Sequence, residues 1–485
     1  MLLAIICAGF ICFALSISNL FGFQNVDDAY ISFRYGWNLM EGNGLVYNKG
    51  EYVEGYTNFL WTMLTAPFTK MGGIDITVFT IAIGILISVL ILILVTLTTR
   101  NLIAENISLL ILLPALTLSL DSSFVFWAVS GMETTLFTFL ILGFFYFYSR
   151  LNDKPLFTNL TAIFLILAAL CRPEGNLLFA IFFLNMIVYR RSFSDHRVKL
   201  TKITLIYGSV MAVYYGIKYL SYGSVIPNTF YAKAVTDTSN NLAAGLDYIR
   251  VSFKARFVLL LPLLFFPFAR FVKDYRANFM LSFVLIYICY IIYAGGDWPG
   301  SSRFIIPLLP YIYILSAGGL VNIYEKTRRS EYTYKKYASA AIVFIAFSFA
   351  LFNGVNTFKK LEPYTFLDET YITYEMECTR LGKELKGLNN PQMKIALAPA
   401  GKLAYYSQLY CIDMWGLNDE HIAMMETKTG TVAHKKFDFD YILSQKPDLI
   451  IGYAGFTDEM VPYNYIKVRE SKPENGFLPI FELKN

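Results

Sequence analysis

The sequence predicts a multispan α-helical membrane protein with a C-terminal α/β domain outside the membrane. The 485 residues are 56% hydrophobic and 16% charged, whereas soluble domains are about 45–50% apolar and about 25% charged. Long apolar runs follow one another up to residue 353, and charged residues return after it. This composition excludes a single soluble domain and a disordered chain with a basic tail, so no nucleic-acid partner is expected.

About eleven apolar runs are long enough to cross a membrane as helices, which takes roughly 20 residues each. They lie at 2–22, 76–99, 102–120, 124–148, 156–171, 175–190, 200–221, 256–272, 278–294, 303–323 and 338–353. The first run lacks a basic segment before it, so we expect a retained helix and not a cleaved signal peptide.

The loop cations set the orientation. Nearly all of them lie around 100, 150–154, 190–202, 270–276 and 326–336, and with these spans every one falls on the same side. Such loops face the cytoplasm, so we expect a cytoplasmic N-terminus. Residues 23–75, 222–254 and 354–485 then face outward, which divides the chain into a transmembrane module, 1–353, and an exported domain, 354–485.

The first external loop, residues 23–75, begins with two adjacent acids. Asp27 and Asp28 open a predicted helix that ends at Gly42. With a second amphipathic stretch at 57–70, this helix is expected to lie along the outer membrane surface. The two carboxylates are either a double helix cap or a functional pair, which would act as a catalytic base or ligate a divalent cation such as Mg, Mn or Ca.

Other charged residues are predicted on the same outer face. They are Glu133 inside a span, Arg172 and Glu174 at a junction of spans, and Lys233, Asp297 and Arg303 in external loops. Each alone is explained by a local ion pair, such as Arg172 with Glu174 or Asp297 with Arg303. Together with neighbouring aromatic residues they suit a sugar–lipid phosphate, because cations hold the phosphate and a carboxylate takes a proton.

The exported tail has the pattern of a small α/β domain. Apolar strands at 394–398, 410–414 and 448–452 alternate with helical stretches, which favours a largely parallel sheet. Cys378 and Cys411 are the only cysteines in this domain. In an oxidising compartment they either pair as a disulfide or remain buried thiols.

An ordered set of short motifs runs through most of the chain. It comprises Asp27-Asp28-Ala29-Tyr30 with Arg34-Tyr35, Val53-Glu54-Gly55-Tyr56, Gly131-Met132-Glu133-Thr134, Arg172-Pro173-Glu174-Gly175, Pro227-Asn228-Thr229-Phe230-Tyr231-Ala232-Lys233, Gly296-Asp297-Trp298 with Arg303-Phe304, and Asp413-Met414-Trp415-Gly416. In this order the set resembles the mycobacterial terminal β-(1→2)-arabinofuranosyltransferase family. Each motif is weakly specific alone, and the ordered set is specific.

The resemblance implies a GT-C fold and a glycosyltransferase that uses a polyprenyl-phosphate sugar donor at the outer side of the inner membrane. It implies that an acid of the first loop, Asp28 or Asp27, is the catalytic base. It also implies donor phosphate or sugar contacts from Arg303, Arg172, Lys233, Glu133, Glu174, Asp297, Arg34, Glu54 and Tyr56. The sugar named by the resemblance is arabinofuranose, and the acceptor is an envelope glycan, a lipid or a protein.

Two rival functions explain part of the sequence. A transporter or flippase of lipid-linked sugars accounts for the spans and for Glu133, but not for the acidic first loop or the exported domain. The two repeated halves with interrupted helices that many transporters have are also missing from the sequence. A non-catalytic membrane scaffold with an exported binding domain is the second rival. The sequence therefore favours an inverting glycosyl transfer over both.

Overall fold

The computed structural model describes most of the chain. The described residues are 1–71, 75–102, 109–188, 197–233, 238–254, 256, 275–297, 302–328, 369–426, 436–452, 465–472 and 477–484, with scattered positions between 337 and 352. The long helices are Leu2–Leu20, Asp27–Met40, Ile76–Leu102, Thr134–Tyr148, Pro155–Cys171, Glu174–Val188, Arg197–Tyr222, Thr238–Lys254, Tyr275–Ala294, Leu309–Arg328 and Glu369–Gly387. The shorter ones are Phe59–Thr65, Leu113–Ser119, Ser122–Val129, Asn228–Lys233, Lys402–Ser407, Glu420–Met424 and Phe439–Ser444, with 3-10 turns at Ala66–Lys70 and Arg303–Leu308.

Several of these helices are long and apolar enough to span a membrane. Within the described ranges there are five, Leu2–Leu20, Ile76–Leu102, Arg197–Tyr222, Tyr275–Ala294 and Arg303–Glu325, or six if one bent pair counts as a span. Two shorter apolar helices, Pro155–Cys171 and Glu174–Val188, match the predicted runs 156–171 and 175–190. Residues 257–272 of the run 256–272 and much of 338–353 lie outside the described residues, so the count of about eleven stays a prediction.

The predicted span 124–148 is broken in two. Helices Ser122–Val129 and Thr134–Tyr148 meet at 111°. Gly131 makes the bend, since its φ is +82° and a Cβ there would lie 2.4 Å from the Asn25 side chain. Trp61 Nε1 donates a 2.9 Å hydrogen bond to the freed Gly131 carbonyl. Glu133, which the sequence places inside a span, lies at this break, directly before the second helix.

The helix Asp27–Met40, here called the loop helix, forms where the sequence predicts it. It does not lie exposed along a membrane surface. Tyr30 and Phe33 pack into the core of the membrane helices, whereas Ile31 and Tyr35 pack into a second core with residues of the C-terminal domain. The sequence predicts that this domain is exported, and the name exported domain is kept for it below. The face of the loop helix that points away from the membrane helices, which also carries polar residues, is thus buried by the exported domain. An amphipathic pattern in the sequence does not predict this burial.

The exported domain contains a five-stranded mixed sheet. Its strands are β1 (Lys394–Leu397), β2 (Tyr410–Asp413), β3 (Leu449–Ile451), β4 (Tyr465–Lys472) and β5 (Phe477–Leu483), in the order β2-β1-β3-β5-β4. The three predicted strands form the parallel half, with β1 between β2 and β3. The expectation of a largely parallel sheet is corrected by the C-terminal hairpin, since β5 is antiparallel to both β3 and β4.

Candidate active site

Asp28 lies at the start of the loop helix and faces an arginine from a distant part of the chain. Arg303 Nη1 is 3.9 Å from Asp28 Oδ2, and Arg303 Nε is 2.7 Å from Asp297 Oδ2. The Arg303 side chain is only 9% exposed, whereas that of Asp28 is 58% exposed. The buried guanidinium of Arg303 thus forms a close ion pair with Asp297, and the carboxylate of Asp28 beside it remains accessible.

A second group of charges lies at the junction of two apolar helices. Arg172 donates from Nε and Nη2 to the two oxygens of Glu174, at 3.2 and 2.8 Å, and from Nη1 to Glu133. Asn58 of the first loop donates to the other Glu133 oxygen at 2.8 Å, and the Tyr290 hydroxyl donates to Glu174 at 3.3 Å. All three charged side chains are nearly inaccessible, with exposures of 9%, 2% and 3% for Arg172, Glu133 and Glu174.

Aromatic rings connect the two groups of charges. The Phe304 ring lies between the two guanidinium groups, 5.4 Å from that of Arg172 and 5.6 Å from that of Arg303. Arg303 also lies over Trp127, at 5.5 Å from the ring centroid. Ring faces stabilise a neighbouring cation. The structure therefore gathers Asp28, Arg303, Asp297, Arg172, Glu133 and Glu174 into one polar site with aromatic walls.

Asp27 has a different environment from its neighbour. Its carboxylate accepts hydrogen bonds from the backbone amides of Gly401 and Lys402, at 3.0 and 2.7 Å. Burial raises the pKa of Asp27 to about 7, and the nearby Glu375 carboxylate adds to the shift. Asp27 therefore caps a helix of the exported domain, and the sequence expectation of a cap for its own helix is wrong, because Val26 is the N-cap there.

The two adjacent acids do not form a shared cation site. Both oxygens of Asp27 accept backbone amides, and Asp28 faces the guanidinium of Arg303. Among the described residues, no group of three or more His, Cys, Asp or Glu is arranged to hold a metal ion. Mg²⁺, Mn²⁺ and Ca²⁺ need several oxygen ligands around one point, so the predicted pairing of Asp27 with Asp28 as metal ligands does not fit this geometry.

Three other predicted site residues of the first loop are bonded within the protein. Arg34 is 3% exposed and donates to the carbonyls of Tyr47 and Leu409 at 2.7 and 2.6 Å and also to that of Ala404. The Tyr56 hydroxyl is 3.3 Å from that of Tyr222. These contacts join the loop to the rest of the protein.

Glu54, the third of these residues, forms an ion pair that the sequence did not suggest. Its carboxylate is 2.9 Å from Lys218 Nζ, and both side chains are buried. Burial raises the pKa of Glu54 to about 7, against the opposing effect of the lysine. The sequence does contain an indication that Lys218 has a buried partner. Lys218 is a cation within the predicted apolar run 200–221, and such a residue needs a partner. Lys233, predicted for phosphate binding, is exposed at the end of helix Asn228–Lys233.

The cysteines of the exported domain do not pair in the structure. Cys378 and Cys411 are both free and both buried. The disulfide is therefore not formed, and the alternative of buried thiols describes the structure.

Comparisons with known proteins agree with the fold class. The structure superposes on ArnT from Cupriavidus metallidurans bound to undecaprenyl phosphate with a TM-score of 0.63, covering 97% of each chain at 10% identity. It superposes on the archaeal oligosaccharyltransferase AglB from Archaeoglobus fulgidus, in complex with an inhibitory peptide and a dolichol-phosphate, with a TM-score of 0.53 at 10% identity, covering 92% of this chain and 69% of that one. The chain thus is a multi-pass membrane protein with the GT-C fold, and this prediction is confirmed.

Two further similarities are at the level of sequence. The terminal β-(1→2)-arabinofuranosyltransferase of Mycobacterium tuberculosis is 27% identical over 269 residues, which is 51% of this chain and 41% of that protein. The aligned region therefore spans less than half of the curated relative. A family model described as a domain of unknown function (DUF8728) matches residues 369–479, which lie within the predicted exported domain.

Proposed function

We propose that this protein is a glycosyltransferase that moves a sugar from a polyprenyl-phosphate donor to an acceptor of the cell envelope. The acceptor is a glycan, a lipid or a protein, and the reaction takes place at the outer side of the inner membrane. The GT-C fold and the similarity to an arabinofuranosyltransferase support this class. The undecaprenyl phosphate bound to ArnT supports a lipid-phosphate donor.

The observation that carries the proposal is the accessible carboxylate of Asp28 beside the buried guanidinium of Arg303. A general base must reach the proton that it removes. Asp28 meets this requirement because more than half of its side chain is exposed. Asp27 does not, since it is half-buried and its two oxygens already accept amide hydrogens. We therefore assign the base to Asp28.

In the proposed reaction Asp28 takes the proton of an acceptor hydroxyl. The acceptor oxygen forms a bond to the anomeric carbon from the side opposite the phosphate. The bond between that carbon and the phosphate oxygen breaks, and its electron pair leaves with the polyprenyl phosphate. Attack from the opposite side inverts the configuration at the anomeric carbon.

Arg303 is the cation best suited to the departing phosphate. It is close to Asp28 and is held by one carboxylate, Asp297, at 2.7 Å. Arg172 is less suited, because Glu133 and Glu174 already take up its guanidinium. A fixed cation stabilises negative charge that develops in the transition state without reorganisation. We assign the leaving-group contact to Arg303, and we assign Arg172 to the support of the site.

Arabinofuranose is the sugar that we propose, on the basis of the similarity to the mycobacterial enzyme. The experiment uses the purified full chain in detergent with three radiolabelled probes: farnesyl-phosphate arabinofuranose, farnesyl-phosphate mannose and farnesyl-phosphate glucose, each with an envelope extract as acceptor. Transfer from the first probe alone supports arabinofuranose, and transfer from another probe corrects the sugar. Movement of intact donor lipid across vesicles without sugar transfer supports the flippase alternative and overturns the proposal.

The base is tested with Asp28→Asn and Asp27→Asn. We expect Asp28→Asn to lower kcat about 10³-fold, within the range of a lost general base, with little change in the donor KM. Asp27→Asn should lower kcat much less than Asp28→Asn, because the Asp27 side chain does not take the proton, and it should also lower the thermal stability. Asp247→Asn is the matched control, because that external acid is also 58% exposed and pairs with an arginine, Arg250. Wild-type kcat in Asp28→Asn would refute the assignment of the base.

A further inference from the structure

The exported domain forms hydrogen bonds with the loop helix at Asp27, the residue next to the proposed base. Asp27 Oδ2 and Oδ1 accept hydrogen bonds from Gly401 and Lys402 at 3.0 and 2.7 Å. In return, Glu375 Oε1 accepts a 3.1 Å hydrogen bond from the Asp27 backbone amide. One residue of the first loop is thus held at both its backbone and its side chain by residues 348 to 375 positions further along the chain.

These bonds are reciprocal helix caps. The first amides of a helix lack partners inside the helix and need acceptors. The N-cap of the loop helix is Val26, and the N-cap of helix Lys402–Ser407 is Gly401, so neither residue has a side chain that caps. Glu375 supplies the acceptor for the first helix, and Asp27 supplies it for the second. Each helix start is completed by the other domain.

The contact is tight, and on the side of the exported domain it is buried. A Cβ on Gly401 would lie 1.9 Å from the Asp27 carbonyl oxygen and 2.8 Å from its Cγ, so only glycine fits. Behind it, Lys402 Nζ is 2.7 Å from Glu375 Oε2, and both side chains are fully inaccessible. Lys402 Nζ also donates to Gln24 Oε1, in the segment just before Asp27, at 3.0 Å. The charge that holds Glu375 in place therefore also contacts the loop.

We propose that Gly401, Lys402 and Glu375 are positioning residues for the glycosyl transfer and that they act through Asp28. They fix Asp27, and Asp27 fixes the first turn from which Asp28 faces Arg303. The exported domain is then a permanent part of the catalytic machinery and not a separate lid or an independent binding module. This inference rests on the proposed function, because it assumes that Asp28 is the base.

The test is a double-mutant cycle with the purified full chain and the labelled farnesyl-phosphate sugar that the wild type uses. Gly401→Ala is combined with Asp28→Asn, and rates are taken per folded molecule well below the melting temperature. We expect Gly401→Ala alone to lower kcat about 10²-fold at unchanged donor KM, since a displacement of about 1 Å costs that much. In the Asp28→Asn background the same change should cost almost nothing.

Two further variants separate positioning from stability. Glu375→Gln keeps an acceptor for the Asp27 amide, so it should lower kcat less than Gly401→Ala does. Glu384→Gln is the control, because Glu384 lies on the same helix and pairs with Arg380 at the surface, and its kcat should equal that of the wild type. Equal costs of Gly401→Ala in both backgrounds, or an unchanged kcat, would overturn the inference. A fully active Asp28→Asn would instead overturn the proposed base.

Discussion

The buried charges around Arg172 give a prediction that the geometry allows us to quantify. One guanidinium serves two carboxylates, Glu133 and Glu174, and none of the three side chains is more than 9% exposed. In Arg172→Met both carboxylates lose their cation in a place that water does not reach. Removing one partner of a buried ion pair costs about 3–5 kcal/mol. For a chain of 485 residues we expect the melting temperature to fall by roughly 3–5 °C.

The assay is thermal unfolding of the purified protein in detergent, followed by intrinsic fluorescence at a fixed scan rate. Arg172→Lys should fall between the wild type and Arg172→Met, because an ammonium keeps the charge but cannot hold both oxygens of Glu174. The triple variant Arg172→Met, Glu133→Gln and Glu174→Gln should recover most of the loss, since no uncompensated charge remains. Arg150→Met is the control: its 2.6 Å pair with Asp153 is partly exposed, and such pairs contribute about 0–1 kcal/mol.

Two outcomes would contradict this reasoning. If Arg172→Met melts within 1 °C of Arg150→Met, the carboxylates are hydrated or protonated and the cation is not needed to compensate them. If the triple variant melts lower than Arg172→Met, the loss comes from packing and hydrogen bonds and not from charge.

Two other predictions follow from the same structure. Gly131→Ala should lower the melting temperature and the yield of folded protein, because alanine disfavours a φ of +82° and its Cβ would lie 2.4 Å from the Asn25 side chain. The control Gly208→Ala, which has open space at the Cβ, should change neither quantity. The pKa of Glu54 is raised to about 7, so between the ordinary carboxyl pKa and pH 7 the folded protein keeps a proton that the unfolded chain has released. Binding of this proton stabilises the folded state at low pH, and the stabilisation is lost as the pH rises through 7. Between pH 5.5 and 8 the wild type should lose up to about 2 kcal/mol that Glu54→Gln does not lose, and parallel melting curves against pH for the two proteins would contradict the shift.

The membrane helices could be predicted from the sequence because a span must satisfy its own backbone in an apolar solvent, which demands long apolar runs. The break at Gly131 could not, because apolar residues continue on both sides of it. The bend is set by partners from the first loop, Asn25 and Trp61, which lie far away in the sequence. The hairpin β4–β5 was missed for a local reason: β4 alternates with charged residues, and Pro479 lies inside β5, which argues against a strand.

The members of the candidate site were predicted better than their arrangement. Alternation of the spans places Asp28, Arg172, Arg303 and the neighbouring acids on one side of the membrane, so they could be grouped before the fold was known. The difference between Asp27 and Asp28 could not be predicted, because it depends on Gly401 and Lys402. No local pattern around residue 27 indicates that a domain near the end of the chain will occupy one carboxylate and leave the next one accessible.

The reciprocal caps also bear on how the protein is made. The Asp27 contacts close loops of 348 to 375 residues, so they form only after the ribosome has synthesised the chain through Lys402. Until then the start of the loop helix lacks its acceptor and the pair of acids has no fixed geometry. Under the proposed function, a nascent or truncated chain would already sit in the membrane among its lipid substrates without being able to act on them. Synthesis of the segment that carries Glu375, Gly401 and Lys402 would therefore be required for activity.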